Sequence, residues 1–158
     1  MNDEELIEQM AEPILREYGF AFKAVRGCIE SIPDDMWTVD DELDGMFCRQ
    51  VCHLLWAADA YSGGHRTKAA TRFGVPAGSY GIKNLERFPG RQEVLAYVDE
   101  VETQVAAWVR LRTKQNLTGK KKVHPPMNVV VYTLRHTAVH LAYLMRDMHR
   151  RGIRRPDY

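Results

Sequence analysis

No stretch of this chain approaches the ~18 consecutive apolar residues that a membrane span requires. Its opening residues, Asp3, Glu4, Glu5 and Glu8, are acidic where an export signal is basic. These two absences lead to the expectation of a soluble, cytoplasmic protein without a membrane partner. An excess of one charge is also missing. With 22 basic and 21 acidic residues the formal net charge is +1, so the global balance gives no argument for nucleic acid or an anionic membrane, and no nucleic-acid partner is expected. Cysteine is scarce and odd in number: Cys28, Cys48 and Cys52 read as reduced, buried thiols rather than a disulfide framework. Period-2 apolar alternation, internal repeats and low-complexity tracts are absent too, which excludes a sheet or a solenoid.

What is there repeats at helical spacing. Ile7, Met10, Ile14, Tyr18, Ala21, Val25 and Cys28 recur at steps of three and four and make one apolar stripe on a helix from about Asp3 to Glu30. The connection from Ile32 to Gly45 ends it, and Trp37 is expected to pack back over the bundle end. A second helix runs from about Asp44 to Tyr61, stopped at Gly63 and Gly64. The Gly- and Pro-rich stretch to Gly90 is long enough to travel a helix length before the next helix starts. The third helix spans about Gln92 to Arg112, with Val94, Leu95, Val98, Val101, Val105, Trp108, Val109 and Leu111 as core positions. After a basic loop, Pro125 and Pro126 fit the entry to a final helix of about Met127 to Arg151, capped by Gly152. The pattern predicts one all-α domain over residues 1–158: a four-helix bundle whose long second connection favours an up-down-down-up path.

The charges are unevenly placed. Acidic residues cluster at the start, and Arg146, Arg150, Arg151, Arg154 and Arg155 cluster at the end, where they suit the helix macrodipole as solvated helix ends.

The chemistry concentrates in Tyr132-Thr-Leu-Arg-His-Thr-Ala-Val-His-Leu-Ala-Tyr143. His136 and His140 stand four residues apart, so on a helix they lie within ~40° of each other and roughly 6 Å apart along the axis. Two neutral imidazoles so placed can reach one metal ion. An isolated pair is more often ordinary core or hydrogen-bonded residues, so a third ligand is needed. His53 is the best candidate, because Met46, Gln50, Ala57 and Ala60 share its face and the two alanines leave room for an ion and a small molecule. Cys48 and Cys52 lie roughly 140° and 100° round the helix from His53 and are poorly placed to join it. Asp147 shares the face of His140 but lies ~10 Å further along the helix, too far for direct contact with an ion. Tyr132, Thr133 and Tyr143 flank the pair, and Arg49 stands one turn before His53, while His65, His124 and His149 read as surface residues.

Trp37, the His53-Leu-Leu-Trp56 region and the last-helix His136-x-x-x-His140 before Arg151-Gly152 together resemble the DinB/YfiT-like putative metalloenzymes. The resemblance covers nearly the whole chain in length, helix order and histidine placement. It implies an up-down-down-up four-helix bundle with a divalent ion held by His53 from the second helix and His136 and His140 from the fourth. Where many members continue the last ligand with His-Arg-Gly-Gln, this chain reads His140-Leu-Ala-Tyr143.

Three imidazoles leave an ion such as Zn, Ni or Fe with an open position, the pattern of a catalytic rather than a closed structural site. That position suits a small-molecule substrate. The resemblance implies a thiol-dependent transferase or isomerase using mycothiol, bacillithiol or glutathione. Two other classes stay open at this point: a non-catalytic metal-binding bundle acting as a dimeric sensor or scaffold, and a basic-tailed nucleic-acid accessory protein. Apolar surface left exposed on the first or fourth helix would favour a homodimer.

Overall fold

A computed structural model describes residues 2–40, 46–63, 88–119 and 126–156. The described residues contain four α-helices and no strand: α1 (Asp3–Ser31), α2 (Phe47–Gly63), α3 (Arg91–Leu117) and α4 (Pro126–Arg150), with one 3-10 turn at Asp34–Met36. They form an all-helical bundle. None of these helices is long and apolar enough to cross a membrane. The long second connection and the Lys120, Lys121 and Lys122 cluster lie outside the described residues, as do His65 and His124.

Three helix ends are satisfied by identifiable devices. Asn2 accepts the backbone N–H of Glu5 while the Glu5 carboxylate accepts the N–H of Asn2, a reciprocal capping box. The C-terminal carbonyls of α1 have no basic residue in their own last turn. Arg91, the first residue of α3, supplies the missing charge by donating to the carbonyls of Glu30 and Ile32 and to the Asp34 carboxylate. At the end of α4 the Ile153 N–H reaches the Met148 carbonyl and the Gly152 N–H the His149 carbonyl. This double bond pattern needs a left-handed residue, and Gly152 has φ of 72°.

The core is built from the periodic positions. Tyr18, Phe22, Val25 and Ile29 of α1 meet Phe47, Val51, Leu54 and Leu55 of α2, Val94, Val98, Val101, Val105 and Val109 of α3, and Val130, Leu144 and Met148 of α4. Trp37 caps one end as expected: it is buried on Phe47, and its indole N–H donates to the Pro89 carbonyl at 2.9 Å. Two expected core residues are not core. Met10 is 42% and Leu111 51% exposed. Met10 falls roughly a quarter-turn from the Ala11, Tyr18, Phe22, Val25, Ile29 line, and Leu111 about a third of a turn from the valine stripe of α3. Apolar character alone put both on the wrong side.

The helices pack in a pattern that matters for the site. α1 lies against α3 and α4, and α2 lies against α3 and α4. α2 is therefore held between two partners. Toward α3, the Asp59 carboxylate accepts from Tyr97 Oη at 2.7 Å and from Gln104 Nε2 at 2.8 Å. Toward α4 it presents His53.

Candidate metal centre

The face of α4 that turns inward carries threonines as well as aliphatic residues, and their hydroxyls are absorbed locally. Thr133 and Thr137 are buried and donate to the carbonyls four residues back, at 2.8 and 3.0 Å. The Val130 carbonyl meanwhile accepts from Tyr18 Oη at 3.0 Å. Those polar groups are satisfied within the bundle, and the imidazoles lie at the edge of this seam.

His53, His136 and His140 converge there, all half-buried, with one potential ligand atom from each lying within 4.8 Å of the others. Ring centroids are 4.3 Å apart for His136 and His140, 4.6 Å for His53 and His140, and 5.8 Å for His53 and His136. Nitrogens sharing an ion at about 2.0 to 2.1 Å stand roughly 3 to 4 Å apart, so small side-chain rotations suffice to bring three onto one ion. The three residues singled out from sequence are thus brought together by two helices.

The electrostatics suit ligation. Burial, reinforced by the neighbouring imidazoles, holds His140 down at about 4. Burial and the nearby His136 lower His53, and burial lowers His136. Three basic groups packed together in a half-buried seam remain neutral at pH 7, and the neutral imidazole is the form that donates a lone pair to a metal. The donor set therefore fits a divalent ion. The cysteines do not compete for it. Cys28, Cys48 and Cys52 are buried free thiols. Burial lifts Cys28 to about 11, and Cys52 is raised by its hydrogen bond with Cys48 and by burial, so both stay protonated and poor as ligands.

The flanking residues divide into those that pack and those that line the site. Tyr143 stands edge to face on His140 at 5.8 Å, with the Arg146 guanidinium over its ring at 5.1 Å. The Thr133 hydroxyl is taken up by the Val129 carbonyl and by Tyr18 of α1. Arg49 lies over the Phe88 ring at 5.7 Å, and His149 is exposed in the last turn of α4. Tyr132, by contrast, borders a cavity of about 160 Å³ between α2 and α4 that reaches His53 and His136.

One arrangement was missed by reading each helix separately. Asp147 is fully buried; its carboxylate accepts from Gln50 Nε2 at 3.0 Å and from Arg151 Nε at 2.8 Å. Gln50 precedes His53 by one turn and Asp147 follows His140 by two, so this clasp ties α2 to α4 at the side of the triad. Arg151, expected as part of a solvated end, has a side chain only 9% exposed because of it. The available signal was a polar residue on each of two facing apolar stripes, which must pair if both are buried.

No family model, curated protein or solved structure compared with the chain matches it.

Proposed function

We propose that the protein is a metal-dependent enzyme in which His53, His136 and His140 hold one divalent ion, Zn, Ni or Fe. The observation that carries this reading is the convergence of three neutral imidazoles from two helices, with ligand atoms within 4.8 Å of one another. When bound, such an ion supplies Lewis acidity that lowers the pKa of a small thiol or water. The chain's own part is to hold three neutral donors in place, to exclude thiolate competitors by burying its cysteines, and to leave a largely aromatic cavity open beside the donors. The substrate we propose is a small molecule, with a low-molecular-weight thiol of the mycothiol, bacillithiol or glutathione type as cosubstrate for transfer or isomerisation.

We further propose a DinB/YfiT-like up-down-down-up path. Pairs across the bundle support it: Cys48 meets Pro89 while Asp59 meets Gln104, which suits parallel α2 and α3. Gln50 meets Asp147 while Tyr61 meets Tyr132, which suits antiparallel α2 and α4. Arg26 pairs with Asp99 while Arg110 pairs with Glu8, which suits antiparallel α1 and α3. Exposed Phe20 on α1 and Val131 and Val139 on α4 support a homodimer, which light scattering tests through the mass in solution.

The test of the enzymatic reading is a panel of low-molecular-weight thiols with generic electrophiles, run on metal-loaded wild type and on His140→Ala. Turnover that needs both the metal and His140 is expected. Equal rates in the two proteins would overturn the reading, and metal binding without turnover on any thiol would assign the bundle to a sensor or scaffold role instead.

A further inference from the structure

Ala57 and Ala60 follow His53 by one and two turns of α2, and their small side chains open the cavity of about 160 Å³ beside the triad. Its walls are aromatic. Trp56 lies stacked with the His53 ring at 6.0 Å and 29°. Tyr61 from α2 and Tyr132 from α4 meet edge to face at 5.3 Å, and each also stands against the His136 ring, at 6.3 and 6.2 Å. The described lining includes no carboxylate, ammonium or guanidinium. The nearby Arg135 guanidinium lies over the Tyr132 ring at 5.5 Å and is not part of the lining.

Size and chemistry select one kind of occupant. By volume alone, a void of about 150 Å³ is enough to hold benzene. Aromatic walls at varied angles favour stacked and edge-on contacts with a flat ring. An anion seated among the ring faces would lose its hydration without a cationic partner in the described lining, and a cation would stand against the divalent ion that the histidines would hold. We propose that this cavity is the substrate-ring subsite, taking a single uncharged aromatic ring whose substituent presents a donor atom toward the three histidines. The proposal rests on the metal reading above for the substituent, and on the cavity alone for the ring.

The experiment separates the two. With zinc-loaded protein, calorimetry compares benzohydroxamate with acetohydroxamate, which share one chelating group and differ in phenyl against methyl. The phenyl ligand is expected to bind at least about tenfold tighter, given the extra apolar area it buries. Ala60→Leu, which fills the cavity, and Tyr132→Ala, which removes a half-exposed wall, should each reduce that preference to near unity while zinc stoichiometry is unchanged. With metal-free protein, phenol should show nuclear Overhauser contacts to the Ala57 and Ala60 methyls. Zinc binding with equal affinity for both hydroxamates overturns the ring subsite and leaves the metal reading intact. Phenol contacts at the two alanines without zinc binding support the subsite and remove the metal reading. Absence of those contacts overturns the subsite whatever the metal does.

Discussion

His53 of α2 and His140 of α4 stand with ring centroids 4.6 Å apart, edge to face, although 87 positions separate them in sequence. Two basic rings are thus held in contact by helix packing, with a third, His136, 4.3 Å from His140. Such a cluster is costly to protonate and ready to share an ion, and both properties lead to measurements.

Metal should stabilise the fold, because a site assembled from two helices does not exist in the unfolded chain. At an ion concentration of about 100 times Kd the gain is about 2.7 kcal/mol. For a domain of this size that corresponds to roughly 5 to 11 °C in Tm. Differential scanning calorimetry with and without zinc checks it, and His140→Ala should abolish the shift. An equal shift in that variant would place the ion elsewhere.

Acid should weaken the metal-free protein through the triad. The folded pKa values of His53, His136 and His140 lie below 6.5, that of His140 at about 4. Between those limits the unfolded chain binds more protons than the folded one, so stability rises with pH across the window and is lost as pH falls from about 6.5 toward 4. Urea midpoints measured across this range should slope less steeply in His140→Gln than in wild type. Identical slopes would mean that His140 titrates normally.

The Asp147 clasp should be worth more than its exposed counterparts. Asp147→Ala removes the acceptor shared by the nearly buried Arg151 and the half-buried Gln50, and a cost of about 3 kcal/mol is expected from the removal of one partner of a buried pair. Gln50→Leu keeps the Arg151 pair and should cost about 1 kcal/mol. Denaturant unfolding of the two variants gives the order, and a smaller effect for Asp147→Ala than for Gln50→Leu would contradict it.

Gly27 has a specific reason to be glycine. It lies inside α1, where alanine would ordinarily gain up to about 1 kcal/mol. A Cβ at this position would fall 2.5 Å from the Pro156 Cβ, however. Gly27→Ala should therefore be neutral or destabilising alone, and stabilising when combined with Pro156→Gly. Thermal melts of the two variants distinguish this from a helix-propensity effect, which would be the same in both backgrounds.

The sequence reading went furthest where one helix decides the outcome. Most of the stripe on α1 and of the core positions on α3, the Trp37 cap and the Gly152 stop follow from local periodicity and backbone chemistry, and each is found. The three histidines were legible because a four-residue spacing fixes one face, and because small neighbours at Ala57 and Ala60 marked a second face with room beside it. What escaped depends on pairs of helices. Met10 and Leu111 are apolar and periodic, yet their azimuths point away from any partner. Arg91 closing the end of α1, and Gln50 meeting Asp147, join residues 61 to 97 positions apart. No local pattern specifies those meetings; the packing of the bundle does. The Asn2 capping box is the exception, since Asn-x-x-Glu at the chain start was there to be read.

The most direct measurement of the central claim is calorimetric titration of zinc into metal-free protein at pH 7.5, with wild type beside His53→Ala, His136→Ala and His140→Ala. The account predicts one ion per chain for wild type and loss of that binding in all three variants. Failure of wild type to bind, or one ion retained at wild-type affinity by any of the three, would contradict it.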